Sequence, residues 1–155
     1  MKTPVPTTRG FNIVELLLVI AILSLVVGVS VQSYVNFSRA QSLAASASAL
    51  AGALRDARAR TLASVSASQY GVKTDTNIFT VFKGSSFSSS TPGNETFTFP
   101  YPVAASSSSS MRTVTFTRVT GNASASGTID LYLPGLPGVQ KKTVSIQNTG
   151  LVSIQ

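Results

Sequence analysis

The chain of 155 residues contains no cysteine and no histidine. The first absence excludes disulfides, thiolate metal sites and a cysteine nucleophile. The second removes the commonest general base and the commonest metal ligand. Carboxylates are scarce too: Glu15, Asp56, Asp75, Glu95 and Asp130 are the only five. They are scattered, with no two at a spacing that would pair them on one helix or strand. A hydrolase, a metal centre or an acid–base enzyme is hard to assemble from that inventory. The sequence therefore points to a non-enzymatic protein with no catalytic residues, no metal and no cofactor. Proline is also missing between Pro6 and Pro92, so nothing in that interval forbids a long helix.

What is present is apolar and basic. Hydrophobic residues make up 43% of the chain and the mean hydropathy is +0.29, high for a soluble protein. Much of the excess lies in residues 11–31, interrupted only by Asn12, Glu15, Ser24, Gly28 and Ser30. As a helix this run is about 31 Å long, close to the thickness of a bilayer's hydrocarbon. Lys2 and Arg9 precede it, which favours a cytoplasmic location for that end. The net charge of +7 is thinly spread, and "RDARAR", residues 55–60, is the one cluster. It reads as a solvated helix face on which Asp56 and Arg60 lie one turn apart, the acid N-terminal, in the favourable order.

Helical periodicity continues past the apolar run. Leu43, Ala47, Leu50, Leu54, Ala57 and Thr61 recur at spacings of three and four, which draws one stripe along a helix. Leu62 and Val65 extend that stripe. The pattern predicts a single helix over 11–68, with 11–31 as its membrane or filament-core segment. Gly52 weakens it locally. Beyond Ser68 the period becomes two. "QYGVKT", "NIFTVFK", "ETFTF", "MRTVTFTRV", "TIDLYL", "KTVSIQ" and "GLVSIQ" read as strands bounded by turn residues, with hairpins turning at 75–77 and 148–150. "GSSFSSSTPGN" and "AASSSSS" read as low-complexity serine loops. Asn94-Glu95-Thr96 and Asn122-Ala123-Ser124 match the N-glycosylation pattern, which is short enough to recur by chance. The expected architecture is α+β: a long N-terminal helix whose amphipathic second half packs on a small antiparallel sheet formed by residues 69–155. The first half of the helix has nothing in the chain to cover it, so it must lie in lipid or against other copies.

Three readings compete for the N-terminus. A secretory signal peptide requires a cleavage site close behind the apolar run, but the small-residue pattern Ala45-Ser46-Ala47 lies well beyond it. A plain single-pass anchor explains the length and leaves Glu15 as a cost, about 2.5–3.5 kcal/mol at a membrane centre and less near an end. The third reading accounts for the whole segment. "RGFNIVELLLVIAI" resembles the type IV prepilin signature: a short basic leader ending in Gly10, then Phe11, then Glu15 as the fifth residue after the glycine, then a continuous apolar run.

That resemblance implies that residues 1–10 are a leader removed by a membrane-bound prepilin peptidase cutting between Gly10 and Phe11, followed by N-methylation of Phe11. It implies an apolar helix that first anchors the subunit in the bacterial inner membrane and then forms the core of a filament with copies of itself and other pilins, helped by an inner-membrane assembly platform. Localisation would end in an extracellular pilus or an envelope-spanning secretion pseudopilus. Cleavage creates an ammonium at Phe11, and Glu15 then has a partner in the N-terminus of a neighbouring subunit. An unpaired carboxylate in such a core is costly, so the pair fixes register during assembly.

"ALAGALRDARARTLA" followed by short strands, without cysteine, resembles the GspH/FimT type of pilin or pseudopilin. The sequence departs from family patterns at two places. Gln32 stands where many pilins have a helix-melting proline. Gly150-Leu151-Val152-Ser153 stands where some DNA-binding FimT-type pilins have Gly-Arg-x-Arg, and neither arginine is present. After loss of Lys2 and Arg9, ten basic and five acidic side chains remain, a balance that permits phosphate contacts. A DNA-uptake pilin is accordingly the competing function, with nucleic acid an unfavoured partner.

Overall fold

The computed structural model describes residues 10–107, 111–135 and 141–155, with backbone alone at 29–32. Asn12 opens the first element. Its side-chain oxygen accepts the Val14 amide at 3.2 Å and its carbonyl accepts the amides of Glu15 and Leu16. This is an N-cap, the role in which asparagine replaces missing helical partners. Helix α1 then runs Ile13–Leu62, 50 residues. Glu15 lies in its first turn and Arg60 in its last, each at the end where the helix dipole favours its charge. The helix continues through Gln32 and Gly52.

Helix α1 is shorter than the expected 11–68. Ser64 takes a left-handed conformation (φ 51°), and so do Ser66 and Ala67. These turns allow only a 3-10 turn, Val65–Ala67, before the first strand. The stop signal is therefore serine and alanine instead of the glycine that usually occupies such a position. Val65 consequently falls outside the buried stripe, and Leu62, the last residue of α1, lies beside it; both are exposed.

The chain divides into two units, Met1–Ser38 and Arg39–Gln155, with the boundary inside α1. In the first, the described side chains from Phe11 to Val27 are exposed on every face of the helix. The second holds the core. There Ala47, Leu50, Leu54, Ala57 and Thr61 are 0% exposed and Leu43 is 1% exposed, so the stripe expected from periodicity is buried along its whole length.

Among the described residues the stripe is covered by eight strands in two sheets, where a single sheet was expected. β1 (Tyr70–Thr74), β2 (Ile78–Lys83), β3 (Glu95–Thr98) and β5 (Thr113–Thr115) form one antiparallel sheet in the order β3-β2-β1-β5. β4 (Ala104–Ser107), β6 (Gly127–Tyr132), β7 (Lys142–Ile146) and β8 (Val152–Ile154) form the other, in the order β4-β6-β7-β8. Val72, Phe79, Val81 and Val114 from the first sheet join Ile129, Leu131, Val144 and Ile146 from the second in one cluster with the helix stripe. Strand alternation puts these residues on the inner faces.

Both expected hairpins form: β1 pairs with β2 with Thr74 opposite Phe79, and β7 pairs with β8 with Ile146 opposite Val152. β4 is a correction, because its residues belong to the stretch read as a serine loop; they pair with β6 through Ala104–Tyr132 to Ser107–Ile129. The run "MRTVTFTRV" is shortened to β5, and Arg118 to Thr120 form a turn.

Thr61 explains why a hydroxyl belongs in an apolar stripe. It donates to the Ala57 carbonyl at 2.8 Å and accepts the Tyr70 amide at 2.9 Å. One buried side chain thereby closes the end of the helix and receives the start of β1.

Candidate functional site

The residues singled out in the sequence lie at the start of α1. Gly10 and Phe11 precede the N-cap; Phe11 is 78% exposed and Gly10 has no neighbour near the position a β-carbon would take. Glu15 is exposed one turn further on, and its carboxylate makes no ion pair among the described residues. Residues 1–9 of the expected leader lie outside the described residues.

From Phe11 to Val27 the helix carries a continuous apolar surface, and α1 is long and apolar enough to cross a membrane. Exposed apolar side chains are ordinary one at a time, but a patch of this size marks a surface made for lipid or another protein. Of its polar interruptions, Ser24 is satisfied within the helix, its hydroxyl donating to the Ile20 carbonyl at 2.7 Å. Tyr34 and Phe37 carry the exposed apolar character further along the helix.

The basic cluster of α1 is not the free solvated face expected from sequence. Arg55 donates from Nη2 to the Val152 carbonyl of β8 at 3.0 Å. Arg58 donates from Nε to the Gly121 carbonyl at 3.0 Å and from Nη2 to the Thr149 carbonyl at 3.2 Å. Arg60 meets Asp56 at 2.8 Å, as the spacing predicted, and also grips Glu95 of β3 with a 2.6 Å contact. Its guanidinium lies 5.9 Å from the centre of the Tyr70 ring. Hydrogen bonding to Glu95, helped by Asp56 and opposed by partial burial, raises its pKa above the usual arginine value. Three arginines within about one and a half turns thus fasten the helix to both sheets. Apart from Asp56, the sequence carried no signal for their partners, which lie 35 to 97 residues away.

No family model and no curated protein matches the chain. Solved structures do. The type IV minor pilin FimU of Pseudomonas aeruginosa superposes with a TM-score of 0.62 at 17% identity, covering 77% of this chain and 92% of that one. The minor pseudopilin EpsH from the type 2 secretion system of Vibrio cholerae superposes with a TM-score of 0.53 at 14% identity, covering 73% and 95%. At such identities the likeness is one of fold. It establishes a pilin-like α+β fold, a long N-terminal helix with small antiparallel sheets.

Proposed function

We propose that this chain is a non-enzymatic subunit of a type IV pilus or of a related secretion pseudopilus. The observation that carries the reading is the uncovered apolar surface from Phe11 to Val27, on the helix whose later stripe forms the core of a pilin-like fold. A surface of that kind needs a bilayer before assembly and neighbouring helices afterwards. Prepilin peptidase would cut between Gly10 and Phe11, and the released, methylated Phe11 amine would offer a positive partner to Glu15 of an adjoining subunit. The carboxylate then selects one register, because a misdocked subunit leaves a charge unpaired in an apolar core. The inner membrane, its assembly platform and other pilins are the partners this scheme requires. The commitment of Arg55, Arg58 and Arg60 to groups of the chain itself weighs against a nucleic-acid role for that cluster.

Mass spectrometry of the protein recovered from cells that carry a prepilin peptidase tests the reading. The expected N-terminus is methylated Phe11. Gly10→Ala blocks or slows processing, whereas Glu15→Ala is processed normally and enters filaments poorly. A mature N-terminus near Gln32 or beyond Ala47 overturns the proposal.

A further inference from the structure

A polar cavity in the Arg39–Gln155 unit is independent of the helix surface described above. It lies where the β1–β2 turn of one sheet meets β4 and β6 of the other, and its volume is about 180 Å³. Cavities of about 150 Å³ hold a six-membered ring, while drug-sized ligands need about 300 Å³ or more. This one therefore suits a single ring-sized molecule. Thr74, Thr76, Ser106, Ser107 and Tyr132, all bearing hydroxyls, line it together with Arg112.

Arg112 is exposed at this site and forms no ion pair among the described residues, unlike Arg60. Thr74 is 2% exposed, and its hydroxyl is sealed beneath the lining without a partner among the described residues. The walls are nevertheless fixed. The Thr74 amide donates to the Arg112 carbonyl and the Ala105 amide to the Thr76 carbonyl, both at 2.7 Å. Asp75 is the one carboxylate in the lining, and Lys73 holds it at 2.9 Å. Its charge is thereby offset, and it remains an acceptor for hydroxyl groups. The cavity also gives β4 a purpose, since alanine and serine are weak strand formers and this strand places Ser106 and Ser107 in the lining.

We propose that the cavity binds an acidic monosaccharide unit, a pyranose ring bearing a carboxylate. Arg112 takes the carboxylate in its planar fork. The hydroxyl-bearing side chains both donate to and accept from the ring hydroxyls. A bare phosphate matches the site less well. It accepts hydrogen bonds without offering the donors that the hydroxyl oxygens and the Asp75 carboxylate of the lining can accept.

Saturation-transfer NMR on the full chain in detergent micelles, with glucuronate, glucose and inorganic phosphate as probes, tests this assignment. Glucuronate gives saturable transfer and glucose binds at least about tenfold more weakly, the loss expected for one charge-assisted hydrogen bond. Arg112→Gln removes the glucuronate signal with the melting temperature unchanged. Three results overturn the proposal: no transfer from glucuronate, an undiminished signal in Arg112→Gln, or displacement of glucuronate by equimolar phosphate.

Discussion

Gly150 lies so close to Arg58 that a β-carbon on the glycine would stand 2.7 Å from the guanidinium Nε. The same carbon would collide with the carbonyl oxygen of Gly121, the group to which Arg58 donates. The backbone at Gly150 is left-handed, with φ at +76°, a conformation that glycine adopts without steric penalty. Turn, arginine and glycine therefore depend on one another.

Gly150→Ala is expected to destabilise the protein by about 2–3 kcal/mol, combining backbone strain with steric conflict. The corresponding fall in melting temperature is about 10 °C. Gly93→Ala supplies the control, because that glycine also has positive φ but nothing within 4 Å of the added carbon. Its cost is about 1 kcal/mol from strain alone. Equal losses in the two variants would refute the close-contact account.

Leu54→Ala and Leu17→Ala separate the two parts of α1. Leu54 is fully buried in the cluster between helix and sheets, so truncation costs about 2–5 kcal/mol. Leu17 is 55% exposed, and its truncation leaves the denaturant midpoint of the Arg39–Gln155 core unchanged. The assay is urea unfolding in detergent, followed by the near-ultraviolet signal of Tyr70.

Arg60→Ala removes the contacts to Asp56 and Glu95 and the stacking over Tyr70. All three charged side chains are partly exposed, so the expected loss is about 1 kcal/mol. The pH dependence has a definite sign. A raised arginine pKa contributes stability in full below the unfolded value and loses it only as pH rises through the folded one, both beyond the range in which proteins are ordinarily handled. The difference between parent and variant should therefore stay constant from about pH 7 to pH 11. A difference that shrinks within that window would show that Arg60 is not the group responsible.

Legibility from sequence followed the range of the interaction. The stripe from Leu43 to Thr61 was readable because helical periodicity is local, and the β1–β2 and β7–β8 hairpins were readable because their turns are short. β4 was hidden: alanine and serine resemble a loop until β6 arrives to pair with them. The division into two sheets was hidden for the same reason, since partners such as β1 and β5 are distant in sequence. Val65 fits the helical period, yet the left-handed Ser64 ends the helix before reaching it. At the N-terminus, the glycine, aromatic and glutamate pattern was legible, and so was the uncovered apolar face. The anchoring role of the three arginines was not, because a cationic helix face looks the same whether its partners are water or remote carbonyls.

The arginine fastening also bears on the order in which the protein folds. Arg55 reaches a carbonyl 97 residues ahead and Arg58 reaches carbonyls 63 and 91 residues ahead. Closing loops of that size costs entropy before any contact rewards it, whereas the hairpins close over a few residues. The long-range arginine contacts are therefore expected to close after the hairpins. Until the sheets cover it, the second half of α1 displays its leucine stripe as openly as the first half displays its own apolar face. The nascent molecule thus carries two sticky surfaces in succession, and only one of them is ever hidden by its own chain.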